Sequence, residues 1–161
     1  MRKFIIKDKV ITDDSDCFVI AEIGNNHKGD IKIAKKMFQT AKKCGADAVK
    51  LQTRNNKFLF TKKMYNSVYN SYNSFGKTYG LHRDSLEFEK KDYLYLKKYA
   101  EDLGLIFFST PFDFKSVDFL EKINTPLYKI GSGDLTNIPL MEYINSTKKP
   151  IILSTGGGNI K

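Results

Sequence analysis

CFVIAEIGNNHKGDIKIAKKMFQTAKKCGADAVKLQT, residues 17–53, contains one full turn of the chain's organisation. It opens on an almost unbroken apolar run, Cys17 to Ile23, that ends in a polar loop. A short continuous run bounded this way is the pattern of a strand buried on both faces. From Asp30 to Cys44 the apolar residues Ile31, Ile33, Ala34, Met37, Phe38 and Ala41 recur at helical spacing, and Gly45 follows as a C-terminal stop. A second run, Ala48 to Gln52, predicts the next strand. Strand, helix and strand in this order are the repeating unit of a parallel α/β sheet.

The same rhythm continues outward. A helix around Lys90 to Leu103 stops at Gly104, and Leu105 to Ser109 is the third run. Phe114 to Ile123 reads as a helix, Leu127 to Gly131 as the fourth strand, Pro139 to Asn145 as a short helix and Ile151 to Ser154 as the fifth strand. Ahead of the first run, within residues 1–16, KFIIKDKVI reads as a hairpin turning near Lys7 to Lys9 and plugging one end of the sheet. Only residues 53–87 break the pattern, with a loop rich in Asn, Ser and Tyr and the near-repeat VYNSYNSF. Loops beyond about 15 residues are uncommon in compact domains and tend to be lids or binding segments. Composition alone also allows a partly helical surface excursion held by its tyrosines.

A length of 161 residues with 41% apolar content and four prolines fits one domain with a real core and argues against disorder. The formal charge is +9, but the lysines come in pairs scattered over helix-like stretches and form no long basic block. That is the charge pattern of solvated helix faces rather than of a nucleic-acid surface, although the overall field attracts small anions. Cys17 and Cys44 have neither CxxC nor disulfide-framework spacing and read as small buried hydrophobes. No stretch has the length of a signal peptide or a membrane span, so the expected setting is the cytoplasm, without a membrane partner.

In parallel sheets ligands sit at the carboxyl ends of the strands. Those positions hold Glu22, Lys50, Gln52, Thr110, Lys129, Ser132, Asp134 and Ser154. Lys50 and Lys129 would face one mouth and hold a phosphate and a carboxylate, each contact contributing ~4 kcal/mol of gross attraction at ~4 Å and an effective dielectric near 20. Thr110, Ser132, Ser154 and the amides of Gly131, Gly133 and Gly156 to Gly158 add donors of the kind phosphate nests use. Glu22, inside an apolar run, needs a partner or a task, and the plain partner is Lys50. His27 and His82 belong to no HExxH and have no paired His or Cys at ligand spacing, so they read as structural or substrate contacts rather than as a closed metal site.

AEIGNNHKGD, GADAVKLQT, GKTYGLHRDSLEF, GLIFFSTPFD, YKIGSGDLTNIPL and KPIILSTGG, in this order and spacing, resemble the sialic acid synthase family, which includes the N-acetylneuraminate and legionaminate synthases. The resemblance runs from about Cys17 to Gly157. It implies a (β/α) TIM-barrel type fold, here truncated after five strand-helix units, that condenses phosphoenolpyruvate with an open-chain N-acetylated amino sugar and releases phosphate. It implies that Lys50, Thr110, Lys129, Ser132 and Ser154 bind the phosphate or carboxylate of phosphoenolpyruvate. It also implies that Glu22, Gln52 and Asp134 face the sugar and the reacting carbons, with Asn26 and His82 as further substrate contacts. Leu81 stands where the family more often has an acidic residue.

The family uses a divalent metal, manganese or magnesium, held by two histidines on later strands, and an arginine from a C-terminal antifreeze-like domain. Neither stretch is in these residues, so the metal ligands are expected to be missing and the isolated chain inactive. The expected partner is then a second copy or a complementing C-terminal chain. Two other readings are a non-catalytic phosphate-binding module and a five-stranded flavodoxin-like signalling domain, the latter requiring helices on both faces of the sheet.

Overall fold

The computed structural model describes residues 2–159. Strands β1 (Lys3–Ile6) and β2 (Lys9–Thr12) pair antiparallel as a hairpin, turning through Lys7 at φ 53°. Beyond them come β3 (Ile20–Gly24), α1 (Ile31–Lys43) and β4 (Ala48–Thr53). Three short helices follow, α2 (Asn56–Leu59), α3 (Lys62–Tyr65) and α4 (Tyr79–Asp84). The chain continues through α5 (Lys90–Asp102), β5 (Ile106–Pro111), α6 (Phe114–Lys122), β6 (Tyr128–Ile130), α7 (Ile138–Ser146) and β7 (Ile151–Leu153). Strands β3 to β7 form one parallel sheet in chain order.

Strand periodicity gives the sheet two different faces. Val49, Leu51, Phe107, Tyr128 and Ile130 share a core with Phe38 of α1, Leu96 of α5, Leu120 of α6 and Ile144 of α7. The alternate residues Ala48, Ile106, Phe108 and Leu127 form a second, smaller core with Ile6 of the hairpin. Helices therefore cover one face only, and the hairpin seals the base of the other. Sequential strand order with one-sided helices is the (β/α) barrel arrangement, and it removes the flavodoxin-like reading, which needs helices on both faces.

The helix boundaries follow local chemistry. Asp30 caps α1, its Oδ1 accepting from the Lys32 and Ile33 amides at 2.6 and 3.3 Å. In β3 the register slips: Glu22 lies opposite Lys50 but Gly24 opposite Leu51, a bulge that Gly24 accommodates at φ 55°. Both cysteines contradict their expected burial, since Cys17 and Cys44 are exposed. Strand β3 begins only at Ile20, which leaves Cys17 in the lead-in, and Cys44 is the C-cap of α1, beyond its buried stripe. Among the described residues no helix is long and apolar enough to cross a membrane.

Residues 53–87 are more structured than a plain loop. Helices α2 to α4 are tied by a bridge between Val68 and Thr78 and by a hydrogen bond from the Tyr65 hydroxyl to Asp84. Tyr69, Phe75, Tyr79 and His82 form an aromatic cluster within the segment. Its end packs closely on the loop after β3, where a Cβ on Gly29 would lie 2.2 Å from the Ser85 carbonyl oxygen.

Candidate functional site

On the face turned away from the helices, the polar strand ends rise above the small core. Lys50 Nζ lies 2.8 Å from Glu22 Oε2 and donates to Thr110 Oγ1 at 2.9 Å. The lysine side chain is 3% exposed while that of Glu22 is 59% exposed, so a buried cation is paired with a largely solvated carboxylate. Lys129 donates to Ser154 Oγ and to the Ile130 carbonyl. Burial, and then the charge of Lys50, pull the Lys129 ammonium below its ordinary value, while Glu22 acts in the opposite sense. Two ammonium groups thus feel each other across one mouth that contains a single paired carboxylate.

Ser132 begins a 3-10 turn after β6 and meets the loop after β7, where a Cβ on Gly156 would lie 3.6 Å from its own. Asp134, at the end of that turn, accepts from Asn137 Nδ2 at 3.1 Å rather than pairing with either lysine. Gln52 and Asn26 meet beside the β3 bulge: Gln52 Nε2 and Asn26 Nδ2 lie 3.7 and 3.9 Å from where a Cβ on Gly24 would sit. Six of the expected residues, Glu22, Lys50, Thr110, Lys129, Ser154 and Ser132, are thereby linked through β3–β7 and their loops, with Gln52 and Asn26 adjoining.

Neither histidine stands open to the mouth. His27 is 1% exposed, accepts at Nδ1 from the Gly29 amide at 3.0 Å and stacks on Phe88; burial lowers it to about 4. His82 is buried in the aromatic cluster and accepts at Nδ1 from the Phe75 amide at 3.2 Å, so its contacts belong to the excursion. Among the described residues no group of three or more His, Cys, Asp or Glu can hold a metal ion. The mouth offers two ammonium groups and a carboxylate already bound to one of them, a set that does not fit a divalent cation.

A buried polar network behind the strand ends had no signature in the sequence. Thr53 Oγ1 bonds Tyr93 Oη at 2.8 Å and Ser109 Oγ at 2.7 Å, and the Tyr93 hydroxyl also donates to the Gln52 carbonyl at 2.9 Å. Arg54 stacks on Phe112, and its NH2 donates to Gln52 Oε1 at 2.8 Å. Glu87 accepts from the Arg54 amide at 3.1 Å, while its Oε1 has no hydrogen-bond partner and lies 3.7 Å from Arg54 NH1. Burial outweighs the Arg54 amide and the charges of Arg54 and Arg83 and raises Glu87 to about 7. An open volume of about 380 Å³ beside this network is lined by Thr53, Arg54, Glu87, Tyr93 and Phe119, on the helix side, with neither Lys50 nor Lys129 in its wall.

Comparison with known proteins agrees with the fold. Residues 37–161 match the NeuB family. The N-acetylneuraminate-9-phosphate synthase of Mus musculus is 44% identical over 140 residues, covering 87% of this chain and 39% of that protein. The N,N'-diacetyllegionaminic acid synthase of Legionella pneumophila is 40% identical over 141 residues, covering 87% and 40%. A crystal structure of N-acetylneuraminic acid (sialic acid) synthetase from Leptospira borgpetersenii, in complex with citrate, aligns with a TM-score of 0.81 at 29% identity, over 98% of this chain and 51% of that one. The chain spans about two fifths of the length of these curated relatives.

Proposed function

The chain belongs to the NeuB family, and from that premise we propose that its lysine-lined mouth is the phosphoenolpyruvate half of a site that condenses this dianion with an N-acetylated amino sugar. The observation that carries the reading is the charge arrangement: Lys50 and Lys129 share a mouth in which Glu22 pairs with Lys50, and Lys129 is held below its ordinary value by burial and then by the charge of Lys50. A bound phosphate or carboxylate relieves that repulsion. Thr110, Ser132 and Ser154 then supply hydroxyl donors to the same anion, and Gln52, Asn26, Glu22 and Asp134 face the sugar.

The chemistry follows from this division. The methylene carbon of phosphoenolpyruvate attacks the sugar aldehyde, forming a C–C bond and an alkoxide that takes up a proton. Water adds to the cationic carbon left behind and loses a proton. The bond from that carbon to the phosphate oxygen then breaks, releasing inorganic phosphate and a 2-keto acid. No step needs a protein nucleophile; the residues act by holding the two reactants together and by stabilising charge. The manganese or magnesium that the family resemblance implies would polarise the aldehyde when bound, but the described residues give it no ligand set.

The test uses the 161-residue polypeptide with phosphoenolpyruvate, N-acetylmannosamine and manganese. Calorimetry is expected to show phosphoenolpyruvate binding without nonulosonate formation, and turnover is expected once a polypeptide carrying the remaining barrel strands is added. Absence of binding would overturn the site assignment. Phosphate release coupled to product formation by these residues alone would overturn the requirement for further strands.

A further inference from the structure

An amide at a reactive site is informative only if it is held, because rotation about its last torsion exchanges an acceptor for two donors. Gln52 is held from one side. Its Oε1 accepts from Arg54 NH2 at 2.8 Å, which leaves Nε2 as the group beside Gly24 and Asn26. Arg54 is itself fixed from three other segments. Its guanidinium lies 3.7 Å from the centre of the Phe112 ring, after β5. Asn25, with its amide oxygen turned toward the two arginines, accepts from Arg54 NH1 at 3.2 Å and from Arg83 NH2 at 3.3 Å. Glu87, at the end of the excursion, takes the Arg54 backbone amide and flanks NH1. The Arg54 side chain is only 10% exposed.

Resting on the site reading above, we propose that Arg54 is a positioning residue: it locks the Gln52 amide so that a hydrogen-bond donor, and not the carbonyl oxygen, faces the substrate. The site then recognises an acceptor oxygen at that point, such as a sugar carbonyl or hydroxyl oxygen. Only a planar fork meets these contacts together, because it can donate along one edge, donate again along another and present a flat face to Phe112. A lysine supplies the charge but neither the second fixed donor nor the stacking face.

The experiment is a double-mutant cycle in the protein as it occurs, with Arg54→Met, Arg54→Lys and Gln52→Ala, each single and combined. Loss of the charge-assisted hydrogen bond is expected to reduce kcat/KM about tenfold in Arg54→Met. The loss should fall on kcat and on the sugar's KM, with the phosphoenolpyruvate KM unchanged. Arg54→Lys should resemble Arg54→Met. In the Gln52→Ala background the same change should cost less than about twofold, since the two residues act as one. Losses that multiply across the cycle, or wild-type kinetics in Arg54→Met, would overturn the proposal.

The Gln52 side-chain amide resonances give a readout independent of activity and of the site reading. They should shift in Arg54→Lys, and unmoved resonances would refute the positioning role. Wild-type kinetics in Gln52→Ala would instead refute the site assignment and leave the resonance measurement to decide on Arg54.

Discussion

Replacing Lys50 with Met separates ligand binding from folding. The ammonium is buried, with two side-chain contacts, Glu22 at 2.8 Å and Thr110 at 2.9 Å. Taking such an ion out of water costs several kcal/mol, and a partner that is itself mostly solvated offsets only part of that. Removing the ammonium leaves Glu22 in water rather than as an orphaned buried charge. Thr110, 2% exposed, loses one donor, a penalty of about 1 kcal/mol. The methionine stem occupies similar space opposite Phe108 of the neighbouring strand, so the net change in stability is expected within about 1 kcal/mol of zero.

The ligand side of the balance is larger. An attraction of ~4 kcal/mol gross at ~4 Å reduces to roughly 1.5–3 kcal/mol for a charge-assisted hydrogen bond after desolvation. That corresponds to roughly a ten- to hundredfold weaker phosphoenolpyruvate Kd. Lys129→Met should behave alike, and because the two ammonium groups share one ligand and repel each other without it, the double variant should lose less than the sum. Calorimetric titration beside urea unfolding of the same samples reads both quantities. Unchanged affinity in both single variants would remove the lysines from the site, and a loss of several kcal/mol of stability in Lys50→Met would make the Glu22 pair a structural device.

Buried Glu87 and buried His27 should give opposed pH dependences. Glu87 is raised from 4.5 to about 7, so its contribution is full below pH 4.5 and is lost as pH rises through about 7. His27 is lowered from 6.5 to about 4, so its contribution is present above pH 6.5 and is lost as pH falls through about 4. At about 1.4 kcal/mol per tenfold change in proton affinity each gap amounts to at most about 3.5 kcal/mol, and in the shared window the two oppose. Relative to the parent, Glu87→Gln should therefore make stability rise more steeply from pH 4.5 to 6.5 and His27→Gln should make it fall, measured by urea unfolding; parent slopes in both would refute the assignment. Among the described residues strands β3 and β7 each carry an unpaired edge, and Phe4, Phe18, Ile20 and Ile152 are only partly buried around the small core. The 161-residue polypeptide should therefore self-associate at high concentration unless further strands cover it; a monomeric, cooperatively folding species in sedimentation would contradict this.

The sheet was legible because its strands read as continuous apolar runs and its long helices end on glycine. Gly45 and Gly104 both adopt left-handed backbone, at φ 83° and 68°, where the sequence placed the stops. Lys50, Thr110, Lys129 and Ser154 were legible for a related reason: in a parallel sheet the strand ends and the side-chain alternation together locate the mouth. The β3 bulge was not, since one slipped residue leaves no periodic trace. Cys17 and Cys44 are exposed despite their apolar neighbours, because such neighbours say nothing about whether a position lies inside an element or at its cap.

The Arg54 network was invisible for a deeper reason. Residues 54 and 87 are far apart in the chain and meet only because the excursion folds back on the loop after β3, an approach so close that Gly29 has no room for a side chain. A loop arginine is ordinarily read as solvated, and no local pattern tells that Phe112 will stack on it or that Glu87 will reach its amide. The excursion therefore has a physical link to the strand ends that its polar composition conceals. Through the backbone and the guanidinium of Arg54, hydrogen bonds run from Glu87 at the far end of residues 53–87 to the Gln52 amide on β4.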